Sequence, residues 1–317
     1  MSDFESLYAA FDNETGSSPK SGLRRLQSDS PLGVFYGRNP SGGYRIAFLS
    51  GCETSEPQST RAIKVSSVPE DESTWLFFDL SEVAAKAVFF ALCDDLVRVL
   101  ETNPDAEESE AVSVLKNRFQ SWRSMFSQNR QSLSEEQLVG LFGELYFLHV
   151  FMIPRFGAER AISSWSGADG LSKDFSIDNL WFEIKTVSVS SSSVKINSLA
   201  QLSSEVSGEL DVVRYEKMSG QYDDPQCTVS KLFRLVMGDI TDNDVRAEFL
   251  SKIVSCGFDI AGEEASARFR IESLSRYLVD ESFPRITESD VPHPEIEKVT
   301  YTLNLNALEP YTIAEER

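Results

Sequence analysis

The stretch LWFEIKTVS, residues 180–188, constrains this chain more than any other. Leu180, Trp181, Phe182, Ile184 and Val187 give it the apolar, aromatic-rich look of a strand. Yet it carries Glu183 and Lys185, and acidic residues are depleted in strands. Residues two apart on an extended chain point to the same face. The carboxylate and the ammonium therefore share one face, while Phe182 and Ile184 turn to the other. A fold containing this strand must bury one face and give the other a partner for two opposite charges.

The neighbouring sequence supplies candidates. The pentapeptide KDFSI (173–177) reads as a strand opened by Asp174, and Asp178-Asn179 is turn chemistry. A hairpin through that turn sets Asp174 across from the Glu183–Lys185 end of the next strand. Upstream, Leu138–Met152 is apolar almost all round, the mark of a buried helix. Ser134-Glu135-Glu136-Gln137 suits a capping box at its start, and Pro154 is expected to end it. Glu144 is the lone carboxylate between Gln137 and Met152. Carboxylates brought this close repel one another when ionised in a partly dry site. A divalent cation between them removes the conflict. Magnesium suits the task because it takes hard oxygen ligands, accepts one or two protein carboxylates and keeps several waters. Such an ion polarises a phosphodiester, activates a water and steadies the leaving oxygen. Lys185 would face that water or the growing charge on phosphorus.

The helix sequence GELYFL, then DF, then WFEIKT resembles the PD-(D/E)XK nuclease superfamily. More closely, it resembles the PD-(D/E)XK proteins of bacterial defence and restriction-modification gene clusters. The resemblance covers about 85 residues, from Ser134 to Met218. It implies an α/β (α+β) fold with a restriction-endonuclease-like core in the order α-β-β-β-α-β, a mixed sheet flanked by helices. It implies a Mg2+-dependent DNA endonuclease, with Mn2+ able to substitute. Residue by residue, Glu144 matches the helix acid, Asp174 the motif aspartate, Glu183 the (D/E) and Lys185 the K. Asp174, Glu183 and Glu144 are then the metal ligands. Lys173 stands where the motif has proline. Asp169, in WSGADG, competes for the aspartate role, but Asp174 is preferred because it begins a strand beside the ExK strand. Superfamily members often place a polar contact in the helix after the ExK strand, which points to Gln201. Lys195, Asn197 and Ser198 would meet phosphates at that helix's N-terminus. A homodimer on double-stranded DNA follows from the one-strand-per-site chemistry of such enzymes. A methyltransferase or a helicase/ATPase of the same defence cluster is the expected partner.

Around this core, residues 31–51 read as a hairpin turning on Asn39-Pro40-Ser41-Gly42-Gly43. Strands are expected at 62–66 and 74–80, a short helix around 4–11, and helices at 81–101 and 106–126. Inside the core, strands are expected at 161–165, 173–177, 180–189 and 208–218, with a short helix from Ser198 to about Val206. The tail reads as helices at 230–238 and 242–256 and strands at 267–274 and 299–304. The organisation expected is therefore 1–133, a β-hairpin and helical region; 134–218, the nuclease core; and 219–317, an α+β extension packed on it.

Composition narrows the alternatives. A net charge of −20 over 317 residues argues against a protein that coats nucleic acid nonspecifically, though it permits a local basic groove. The four cysteines form no CxxC pair, which points to free thiols of a reducing cytoplasm and excludes a zinc ribbon. The acidic, polar start is not a secretory signal, and the longest apolar stretch, 138–153, is shorter than a membrane span. Two histidines and no GxSxG elbow leave a serine or cysteine triad poorly supplied, and no GxxxxGK[ST] loop is present. Two other classes compete with the nuclease. One is a catalytically silent or partner-licensed DNA-binding scaffold of a defence complex. The other is an interaction module in which Glu183–Lys185 is a structural ion pair.

Overall fold

The computed structural model describes residues 4, 6–8, 22–60, 62–81, 86–127, 133–167, 172–258, 267–293 and 295–316. The chain divides into two compact units, 1–132 with 259–265 and 133–258 with 266–317. Among the described residues there are twelve strands in three sheets and seven α-helices, a mixed α+β architecture of the restriction-endonuclease-like kind.

The first unit is an antiparallel sheet under two helices. Strands β1 (Leu23–Arg25), β2 (Gly33–Arg38), β3 (Tyr44–Ser50), β4 (Ile63–Glu70) and β5 (Ser73–Leu80) lie in the order β1-β2-β3-β5-β4. The expected hairpin forms β2 and β3, and Asn39 closes it by accepting the Gly43 amide on Oδ1 at 2.8 Å. Alternation buries Val34, Tyr36, Ile46, Phe48, Leu76 and Phe78 on one face. Helices α1 (Lys86–Glu101) and α2 (Glu108–Ser127) follow. Phe90 of α1 meets Tyr44 edge-on at 5.2 Å, and Phe119 of α2 meets Phe78 at 4.9 Å. Asp95, fully buried on α1, is held by Arg118 Nε at 2.6 Å and Trp122 Nε1 at 2.6 Å from α2. A buried carboxylate so satisfied locks the helix pair in register. Of the helix expected at 4–11, Phe4 and Ser6–Tyr8 are helical and the rest lies outside the described residues.

The second unit begins with α3 (Glu135–Phe147), opened by the expected capping box on Ser134 and Gln137. Pro154 does not end it. Leu148–Met152 widens into a π-helical turn, and the Ile153 amide reaches back five residues to Leu148 O. The wider turn accommodates the proline ring, so the helix runs on as α4 (Ile153–Phe156) and stops at Gly157, whose φ is 81°. This makes Glu135–Phe156 long and apolar enough to cross a membrane, contrary to the sequence expectation, but half of its most apolar window is buried inside the protein. Residues 158–164 form helix α5 rather than a strand. Ala158, Glu159 and Arg160 are good helix formers, and Lys252 Nζ takes the carbonyls of Ile162 and Trp165 at its end, at 2.7 and 2.6 Å.

Strands β6 (Phe175–Ile177) and β7 (Leu180–Ser188) form the expected hairpin, with Phe175 opposite Phe182. Asp178 turns it at φ 52°, a left-handed conformation aspartate tolerates. Next come β8 (Ser193–Ile196), β9 (Gly208–Met218), α6 (Val229–Asp239), α7 (Asn243–Ser255), β10 (Arg268–Val279), β11 (Tyr301–Asn304) and β12 (Thr312–Glu316). The main sheet runs β12-β10-β9-β7-β6, with β7 and β9 parallel and the other neighbours antiparallel. The parallel step from β7 to β9 passes through β8, which pairs with β11, and a 3-10 turn at Leu199–Gln201 instead of the expected helix over 198–206. The carbonyls of Ala200 and Gln201, which a continuing helix would need, are occupied by Lys173 Nζ. The serine run is an ordered turn: Arg214 Nη1 donates to Ser191 O at 2.8 Å and the Leu305 amide to Ser192 O at 2.9 Å.

Helix α3 lies against β7 at one point of very close approach. A Cβ on Gly143 would stand 1.8 Å from Thr186 Oγ1. Gly143→Ala should therefore destabilise the unit by about 1–3 kcal/mol, the usual cost of overpacking. A thermal melt should show the loss, and adding Thr186→Ala should recover part of it.

Candidate active site

The β6–β7 hairpin and helix α3 bring the four motif residues together. Asp174 immediately precedes β6, and its Oδ2 accepts the Ile184 amide of β7 at 2.6 Å. Glu183 is 1% exposed; its Oε1 accepts from Lys185 Nζ at 2.7 Å, and its Oε2 is buried without a hydrogen-bond partner. Glu144, one residue after the Gly143 contact, accepts from Trp165 Nε1 on Oε2 at 2.8 Å. Phe182, facing away from the charges, packs on Phe147, Phe151 and Phe156, which anchors the strand.

The electrostatics show a cluster short of positive charge. Burial pushes Glu144 up to about 8, reinforced by the charge of Asp174 and opposed by the Trp165 bond. Burial likewise pushes Glu183 up to about 8, Asp174 adding to the effect and Lys185 resisting it. Asp174 is raised too, by burial, against the pull of Lys185 and the Ile184 amide. Lys185, with Lys173 acting on Glu183 and Asp174, does not offset the cost of burying Glu183 and partly burying Glu144 and Asp174.

A hard divalent cation fits this donor set. The side chains offer only carboxylate oxygens, and Glu183 Oε2 is a buried acceptor with nothing to accept. Among the described residues no group of three or more His, Cys, Asp and Glu is arranged as a ready shell for a metal. The fit is therefore to an ion held by one or two carboxylates and completed by water, as Mg2+ commonly is.

Glu144, Asp174 and Lys185 line an open cleft of about 490 Å3, with Lys195 and Asn197 of the β8 segment also on its surface. Of the four residues expected to touch DNA, these two reach the cleft. Ser198 lines a separate cleft with His293 and Lys298. Gln201 turns inward, its Oε1 accepting the Asn197 amide at 2.7 Å; without a helix after β7, it has no helix face from which to reach outward. Asp169 lies outside the described residues.

Two participants had no role assigned from the sequence. Trp165 sits in ISSW, which reads as a strand, and only the fold shows its indole reaching Glu144. Lys173 stands where the motif has proline; it is 9% exposed and donates to Ala200 O and Gln201 O at 2.7 and 2.6 Å. A lysine in place of that proline was the visible signal.

A helix acid set over a strand pair that presents D and ExK is the constellation of the PD-(D/E)XK nuclease superfamily. The chain belongs to the family described as "Putative PD-(D/E)XK family member (DUF4420)", whose model matches residues 4–306. It is thus a protein of nuclease family, matched well beyond the core that carries the motif. No curated protein and no solved structure matches the chain.

The raised carboxylates make a pH prediction. Between the ordinary glutamate range and about pH 8, the folded state holds protons on Glu144 and Glu183 that the unfolded chain releases. The contribution of these two groups to stability in cation-free buffer is then present at low pH and is lost as pH rises through that window. Melting temperatures measured from pH 5 to 8 should decline, and Glu144→Gln should flatten the slope.

Proposed function

We propose that this protein is a divalent-cation-dependent endonuclease that hydrolyses phosphodiester bonds of double-stranded DNA in bacterial restriction-modification or anti-phage defence. The observation that carries the reading is the convergence of Asp174, Glu183 and Lys185 on one hairpin, with Glu144 brought alongside from α3. Asp174 and Glu183 would hold Mg2+, with Mn2+ substituting. The bound ion would supply Lewis-acid activation of the phosphodiester and of the attacking water.

The chain's own groups do the rest. Asp174 keeps its orientation because Oδ2 is fixed by the Ile184 amide. Once Glu183 is committed to the ion, Lys185 is free to orient the water and to stabilise charge growing on the phosphate. Glu144, fixed at one oxygen by Trp165 and raised to about 8, is suited to hold a proton near neutral pH. Lys195 and Asn197, on the same cleft, would meet the sugar-phosphate backbone. A homodimer would give one site per strand. A methyltransferase or helicase/ATPase of the same cluster is the natural partner. The four free cysteines suit a reducing cytoplasm.

One observation favours a second reading. Glu135 and Glu136 share the cleft with Glu144 and Asp174, against Lys185 and Lys195. That excess of acid opposes a bare polyanion and suits a subunit that is silent, or licensed only when a partner covers it. Purified protein with Mg2+ and plasmid DNA decides. The nuclease reading expects nicking or linearisation, with Asp174→Ala and Lys185→Ala each slower by about 100-fold or more. Variants that cut as fast as wild type would sink the assignment. DNA binding without cleavage until a partner is added would support the second reading.

A further inference from the structure

Part of the cleft's lining, Val194, Lys195 and Asn197, belongs to β8 and the residue just after it rather than to the main sheet. Among the described strands, β8 pairs with β11. Two cationic side chains tie its ends to the sheet. At the start, Arg214 of β9 donates to Ser191 O at 2.8 Å. At the end, Lys173 Nζ donates to Ala200 O and Gln201 O at 2.7 and 2.6 Å, and the Gln201 side chain in turn accepts the Asn197 amide at 2.7 Å. Lys173 is 9% exposed and its Nζ sits 3.8 Å from the centre of the Trp181 ring.

This is an unusual use of a buried lysine. Buried ammonium groups are ordinarily paired with carboxylates, and Asp174 is the next residue. The Lys173 ammonium feels the charges of Glu183 and Asp174, but its hydrogen bonds go to two backbone carbonyls. Its position in the chain links Asp174 to the segment after β8. One peptide bond joins it to Asp174, and two hydrogen bonds join it to the turn whose Gln201 side chain holds Asn197.

We infer that Lys173 is a positioning residue: a strut that fixes the Lys195–Asn197 part of the cleft relative to Asp174 and so aligns the DNA strand with the reacting groups. The inference deepens the nuclease reading and rests on it for its catalytic consequence. Its structural half, the immobilised turn, stands separately. Lys173→Met keeps the apolar stem against Trp181 but removes the donors, which frees that segment. DNA can still dock on a mobile segment, but the phosphodiester seldom reaches attack geometry, and a misplacement of that order costs about 100-fold in rate. Lys173→Arg keeps several donors and a cation that stacks on an aromatic face, so it should restore much of the function.

The test is amide hydrogen exchange over 197–202 together with kcat and KM for DNA cleavage in Mg2+, on wild type, Lys173→Met and Lys173→Arg. For Lys173→Met, exchange over 197–202 should rise while β9 and β10 stay protected. Its kcat should fall about 100-fold with KM nearly unchanged, and Lys173→Arg should recover both. Unchanged exchange and turnover in Lys173→Met would overturn the inference and leave the nuclease reading intact. If Lys173→Met does not fold, Lys173→Arg decides: a protected turn with near-normal kcat supports the strut, and a protected turn with lost turnover overturns it. If wild type does not cut at all, the nuclease reading fails. Exchange in Lys173→Met then settles the strut alone.

Discussion

The second unit is organised around the desolvation of three carboxylates beside one active-strand lysine. Glu144, Asp174 and Glu183 are all raised, in each case first by burial. Isolated buried carboxylates take up protons rather than remain charged. The cluster therefore stores a demand for positive charge that Lys185, bonded to one oxygen of Glu183, meets in part. The orphaned second oxygen of Glu183 shows where the demand is unmet.

The fold spends its most exacting contacts on keeping the cluster closed. Gly143 lets α3 approach β7 closely, and Glu144 is the next residue. Gly208, whose Cβ would stand 2.1 Å from the Trp181 indole, gives that ring its seat in the core beneath β8 and β11. Trp181 in turn carries Lys173 on its face. The aromatic packing of Phe182 on one side and Trp181 on the other thus clamps the strand that holds Glu183 and Lys185, so that its charged face cannot slip register.

Much of this was legible in the sequence because it is local. The Glu183–Lys185 pair, the Asp178-Asn179 turn, the Ser134 capping box and the Asn39–Gly43 hairpin each follow from residue type and spacing, and the family match accords with the motif they frame. The misreadings have non-local causes. Pro154 failed to stop a helix because a π turn formed ahead of it. Residues 161–164 became helical under the cap from Lys252, about 90 residues away, while Trp165 is extended and bridges Phe175. The helix after β7 was cut short because Lys173, far off in sequence, takes its carbonyls. β8 and β12 were unreadable because their partners come from distant segments.

The central claim is that Glu183 and its neighbours form a carboxylate cluster, its proton affinity raised by burial, that exchanges protons for a divalent cation. Calorimetric titration of Mn2+ or Mg2+ into the protein at pH 7, repeated in buffers of different ionisation enthalpy, tests this most directly. The account predicts saturable binding whose heat varies with buffer in the sense of proton release, and its loss in Glu183→Gln. Absence of ion binding, or binding with no buffer dependence that survives in Glu183→Gln, would contradict it.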